Sequence, residues 1–125
     1  MNVVDSSAWI EFLADGINAA RFAPAVEALD ELVVPSLCIY EVFKRVVQLK
    51  GESAAIDAVG LMLGGRVVEL TSSIALEAAR LSLEEGLAMA DSIILATARL
   101  EAATLWTQDS HFEGLDGVEY VAKHA

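Results

Sequence analysis

An α/β fold built around a parallel sheet is predicted by three features of the sequence. Short apolar runs without alternation (Val3-Val4, Leu32-Val33-Val34, Val67-Val68 and Leu105-Trp106) read as strands buried on both faces. Longer segments with apolar residues at helical spacing separate those runs. The length, 125 residues, is that of one domain able to close a core without cross-links, so residues 1–125 are read as a single domain.

The elements follow in order. Val3-Val4, leading into Asp5, is the first strand. Ser6 or Ser7 is read as the cap of a helix carrying Ala8, Trp9, Ile10, Phe12 and Leu13, which ends near Asp15-Gly16. A second helix is expected from about Ala19 to Asp30, and Leu32-Val33-Val34 is a second strand closed by Pro35. Ser36 is expected to cap a long helix through Lys50, whose core stripe is Ile39, Val42, Phe43, Val46 and Leu49. Glu41 lies off that stripe, beside Leu37, Lys44 and Arg45.

A helix from Glu52 to Leu63 is closed by Gly64-Gly65, and Val67 to Leu70 is strand three. Thr71, Ser72 or Ser73 caps a helix that reaches Glu85 and stops at Gly86. From Ala90 to Ala102 the chain is apolar nearly all round, which places this helix inside, against a sheet, with Asp91 at its start. Thr104 to Thr107 is strand four, running into Gln108-Asp109, and Val118 to Val121 is a last short strand. The region has no linker, repeat or low-complexity tract.

Composition narrows the function classes. With 55% apolar and 22% charged residues the chain is not a disordered acidic tail. Cys38 is the single cysteine, in the apolar run Leu37-Cys38-Ile39, so a disulfide framework or cysteine-rich zinc site is excluded and a buried inert thiol expected. No apolar run approaches the ~18 residues of a membrane span, and Met1-Asn2-Val3 carries no basic start, so a cytoplasmic location is expected. No GxxxxGK[ST] loop exists for a nucleotide, and neither Ser6 nor Ser7 sits in a G-x-S-x-G elbow.

Charge poses a puzzle: eight Lys and Arg face 19 Asp and Glu, a net of −11. Such a chain repels nucleic acid unless charge is locally reversed, although screening confines that repulsion to about 8 Å at physiological salt. It also suits a basic protein partner, and a non-catalytic acidic binding module is the alternative that composition alone supports.

Four acids fall at element ends. Asp5 ends strand one, Asp109 follows strand four, Asp91 opens the buried helix, and Glu41 is in the second turn of the helix after strand two. In open parallel α/β sheets the functional crevice lies beyond the carboxyl ends of the strands. Each acid has an ordinary alternative: a plain helix cap for Asp5, a favourable dipole position for Asp91, a surface ion pair with Lys44 or Arg45 for Glu41, and a turn residue for Asp109. If the four converge, two like charges about 4 Å apart repel by roughly 4 kcal/mol at an effective dielectric near 20. A site of that kind takes up protons or cations. Oxygen ligands without cysteine favour Mg²⁺ or Mn²⁺ over zinc, and point to phosphodiester chemistry.

Val3-Val4-Asp5-Ser6-Ser7-Ala8, Glu41 on the next long helix, Ala90-Asp91-Ser92-Ile93-Ile94-Leu95-Ala96-Thr97-Ala98 and Leu105-Trp106-Thr107-Gln108-Asp109 together resemble a PIN-domain ribonuclease, and the short simple layout is similar to VapC-type toxins of bacterial toxin–antitoxin pairs. The likeness runs from residue 3 to about 121. It implies a three-layer α/β/α sandwich around a central, mostly parallel sheet of four to five strands. It implies that Asp5, Glu41, Asp91 and Asp109 hold Mg²⁺ or Mn²⁺ for water attack on RNA, with Ser6 and Thr107 as supporting donors. It also implies a homodimer and a VapB-type antitoxin partner.

One departure stands out. Many relatives carry another acid two residues after the position of Asp109, where this chain has His111. His111 is expected either to contact phosphate or shuttle a proton, or to be a solvated turn residue. His124 is read as part of a frayed tail, and Asp116 sits in a Gly-flanked turn. Lys44 and Arg45 are read either as substrate-phosphate contacts or as ordinary surface cations. Trp9, Phe12 and Trp106 are expected in the core rather than as base-stacking platforms. A phospho-accepting receiver domain is disfavoured, because Asp5 is followed by Ser6-Ser7 rather than by an acidic pair.

Overall fold

A computed structural model describes residues 1–123. Among these residues the chain forms β1 (Asn2–Val4), α1 (Ser6–Leu13), α2 (Ala19–Glu27), β2 (Leu32–Pro35), α3 (Ser36–Lys50), α4 (Glu52–Met62), β3 (Arg66–Val68), α5 (Ser72–Glu85), α6 (Met89–Leu100), β4 (Thr104–Thr107) and β5 (Val118–Tyr120). His124 lies outside the described residues. No helix among them is long and apolar enough to cross a membrane.

The strands form one sheet in the order β3-β2-β1-β4-β5, and every pairing is parallel, so the mostly parallel sheet expected is wholly so. Parallel neighbours need crossovers, and helix pairs supply three of them: α1–α2, α3–α4 and α5–α6. The chain steps outward from β1 to β2 and β3, then returns to the other side of β1 for β4 and β5. With right-handed crossovers the first two helix pairs cover one face and α5–α6 the other, which makes three layers. The reversal of strand order falls between β1 and β4, the position at which doubly wound sheets open a crevice at their carboxyl ends.

The central strands are apolar for the reason the sequence suggests: Val3, Val4, Leu32, Val33, Val34 and Leu105 are all buried. They pair in register, Val3 with Val33 on one side and with Leu105 on the other. Trp9, Phe22, Leu95 and Phe112 fill the layers around them, and Cys38 is a buried free thiol. Phe12 and Trp106 are half-buried against the core.

Several local expectations are corrected. Asp5, not Ser6 or Ser7, caps α1: its extended backbone leaves the carboxylate free to accept from Ala8 N–H. The cap position of α3 is Pro35, and Ser36 is its first helical residue without a side-chain cap bond. α2 stops at Glu27, and Leu29–Glu31 form a single 3₁₀ turn rather than a continuation to Asp30. Leu49 is exposed, because the last turn of α3 runs past the edge of the core that Val42 and Val46 fill. β3 begins earlier and ends at Val68, β5 ends at Tyr120, and α6 runs from Met89 to Leu100. Thr71 does cap α5, through Ile74 N–H, and Gly86 closes it at φ 71°.

Candidate active site

Asp5 leaves β1 in line with the strand, its N–H still donating to Trp106 O at 3.0 Å. The side chain is only 4% exposed. Oδ1 accepts from Ala8 N–H at 3.0 Å and from the Ser7 hydroxyl at 2.8 Å, and Oδ2 accepts from the Thr107 hydroxyl at 2.7 Å. A carboxylate has about four lone-pair positions. Three are taken, so Asp5 is held rigidly and keeps one position for a further partner.

Thr107 is the last residue of β4 and is fully buried. Its Oγ1 also accepts from Asp109 N–H at 2.9 Å, tying the loop after β4 to the end of β1. Asp109 caps the short 3₁₀ turn Ser110–Phe112, with Oδ1 accepting from His111 N–H at 2.9 Å. His111 Nδ1 then stands 3.3 Å from Asp109 Oδ1 and 3.3 Å from Asp91 Oδ2. Asp91 comes from the first turn of α6, on the far side of the crevice.

Glu41 enters from α3. Its Oε1 accepts from the Ser6 hydroxyl at 2.6 Å, which fixes it to the start of α1. The surface ion pair expected as its ordinary alternative does not form: among the described residues Glu41 has no cation in range, Lys44 sits 5.7 Å from the Tyr40 ring, and Arg45 reaches only Gln48. Both cations are exposed.

The electrostatics register this crowding. Burial pushes the Asp5 carboxyl up to about 6, against the hydrogen bonds from Thr107, Ala8 and Ser7, and the Asp109 charge adds to the rise. Asp91 is also raised, by burial first and then by Asp109, with His111 opposing. The Cys38 thiol is pushed up chiefly by burial, with Asp5 and Glu41 both adding to it, so these two acids act on a common point from different elements.

The structure therefore brings Asp91, Asp109 and His111 into one group whose ligand atoms lie within 4.8 Å of one another. It joins Asp5 to them through Thr107, and ties Glu41 to the residue after Asp5 through Ser6. The donors are carboxylate oxygens and one imidazole, two of the carboxyls are raised, chiefly by burial and further by the Asp109 charge, and Asp5 has one lone pair left. That set fits a divalent cation.

Two supporting groups escaped the sequence reading. Ser7 holds Asp5 directly, and its Oγ accepts weakly from Gln108 N–H at 3.4 Å. Behind it the buried Asn18 amide donates to Gln108 Oε1 and to Ala122 O, both at 3.0 Å. Gln108 stands between Thr107 and Asp109 in the chain, the one signal that could have drawn it in; Asn18 carries none.

Comparison with known proteins identifies the family and the fold. A profile of the PIN domain matches residues 3–118. A toxin–antitoxin complex from Klebsiella pneumoniae contains a chain of similar structure, TM-score 0.77 and 26% identity, with 95% of this chain and 96% of that one covered. A sarcin–ricin-loop-cleaving VapC toxin of Mycobacterium tuberculosis superposes with TM-score 0.77 at 17% identity, covering 93% and 95%. A protein of Pyrobaculum aerophilum superposes with TM-score 0.72 at 21% identity, covering 95% and 89%. No curated protein matches by sequence.

Proposed function

The chain belongs to the PIN domain family, and from that membership and the site geometry we propose that it is the toxin ribonuclease of a toxin–antitoxin pair. The reading is that it hydrolyses RNA phosphodiester bonds with Mg²⁺ or Mn²⁺ and is held by a VapB-type antitoxin. The observation that carries it is the linkage Asp5–Thr107–Asp109–His111–Asp91 at the switch point between β1 and β4. Neighbours that are toxin–antitoxin complexes, and one that cleaves the sarcin–ricin loop, support the partner and the substrate class.

In this reading Asp5, Asp91 and Asp109 hold the cation, with Glu41 closing the site from α3. When bound, the cation supplies the positive charge that eases ionisation of an attacking water and neutralises the scissile phosphate. The remaining work belongs to the chain. Thr107, Ser7 and the Ala8 N–H aim the free lone pair of Asp5 into the crevice. Ser6 turns Glu41 toward α1 and away from solvent. In this reading Lys44 and Arg45, one turn beyond Glu41 on α3, would meet flanking phosphates, and local positive charge of this kind would offset the repulsion expected from a net −11.

An antitoxin needs apolar surface. α3 and α4 leave a cleft lined by Ile39, Tyr40, Phe43, Ile56, Val59 and Leu63, and the overall acidity complements a basic partner segment.

The test is to incubate the purified protein with RNA and Mg²⁺ or Mn²⁺ beside Asp5→Asn and Asp91→Asn. Wild type should cleave, chelator should stop it, and both variants should be inactive. Equal cleavage by wild type and variants removes the proposal, and partner binding without any cleavage would leave an acidic binding module in its place.

A further inference from the structure

His111 sits on a short turn held by named contacts. Its N–H is bonded to Asp109 Oδ1, and the next residue, Phe112, is buried in the core, so the short turn carrying the ring is anchored at both ends. From that turn Nδ1 points between two carboxylates that come from separate elements, 3.3 Å from each. Two donors bound at about 2.1 Å to one ion stand about 3.0 Å apart at an octahedral edge and about 3.4 Å apart at a tetrahedral one. The separations observed fall between these values. They match the edges that one ion would span with the imidazole nitrogen as one corner and the two carboxylate oxygens as others, all three ligand atoms lying within 4.8 Å of one another.

Resting on the cation-dependent reading of this same site, we propose that His111 is a metal ligand together with Asp91 and Asp109, and that its nitrogen makes the site prefer a first-row transition cation, with Mn²⁺ as the probe, over Mg²⁺. Mg²⁺ takes oxygen donors in a near-octahedral shell and gives up its waters reluctantly, so an imidazole adds little for it. Imidazole is a good donor to divalent transition ions, so the same side chain adds affinity for them. His111 thereby has a role distinct from a phosphate contact: it selects the ion.

The test reads the ion directly. Mn²⁺-loaded wild type, His111→Gln and Asp91→Asn are examined by pulsed electron paramagnetic resonance for nitrogen coupling to the manganese, and Mn²⁺ and Mg²⁺ affinities are measured by titration calorimetry. His111 is exposed on its turn, so the glutamine variant should fold, and circular dichroism checks that it does. The expected result is nitrogen coupling in wild type that vanishes in His111→Gln. The ratio of Mn²⁺ to Mg²⁺ affinity should fall by about tenfold or more, the scale on which even a supporting partner of a ligand counts. Mn²⁺ binding that depends on Asp91 and supports RNA cleavage, but shows no nitrogen coupling or an unchanged ratio in His111→Gln, overturns this inference and leaves the ribonuclease proposal standing. Absence of both divalent binding and cleavage overturns the two together.

Discussion

The hydroxyl of Thr107 donates to Asp5 Oδ2 at 2.7 Å, joining residues 102 positions apart across the ends of β4 and β1. The same oxygen accepts from Asp109 N–H. One buried side chain thus ties together two acids of the candidate site.

Thr107→Val keeps the shape and removes the hydroxyl. It leaves the Asp5 oxygen and the Asp109 N–H unpaired in a buried place, at a cost of about 1–3 kcal/mol of stability. Urea denaturation should show that loss. RNA cleavage should fall with it, and Thr107→Ser should restore most of both. A valine variant as stable and as active as wild type would show that Thr107 positions nothing.

Asp5 makes the cation-free protein less stable as pH rises. Its carboxyl is pushed to about 6 in the folded state from an ordinary 3.8, so between those values the folded chain binds more protons than the unfolded one. The stability slope with pH is then negative, and the penalty is complete above pH 6, on the order of 3 kcal/mol. Chelator-treated protein should therefore gain less from Asp5→Asn at pH 4 than at pH 8. Thermal melts of both proteins at the two pH values check this, and an identical gain at both would contradict it.

Ser6→Ala frees Glu41 from its only hydrogen-bond donor among the described residues. Ser6 is half-buried at the first turn of α1, whose cap is Asp5, so the fold should survive. Divalent-cation affinity should weaken by about tenfold, the usual scale for a group that orients a ligand. Calorimetry with Mn²⁺ measures it.

Ala102 has φ 52°, a left-handed conformation that a side chain disfavours by about 1–2 kcal/mol. Ala102→Gly removes that strain and adds unfolded-chain entropy of about 0.5–1 kcal/mol. The variant should be more stable by up to about 1 kcal/mol in urea, with activity unchanged because residue 102 lies before β4, at the opposite end of the strand from Thr107.

Legible in the order of residues were the alternation of strands and helices, the burial of Val3-Val4 and Leu32 to Val34, and the position of Asp5 and Asp109 just past β1 and β4. Those features are local: apolar period, cap chemistry and chain order state them without knowledge of the rest. Tertiary structure alone decided that β1 lies between β2 and β4, that Ser6 rather than Lys44 or Arg45 takes Glu41, and that His111 turns back onto Asp91 from 20 residues away. The cap of α1 is Asp5, the ordinary alternative that its place in the sequence already offered, since β1 ends one residue before it. Strand order is settled by burying the apolar faces of the whole chain together, and the partners of a polar side chain are whatever that packing leaves within hydrogen-bond reach.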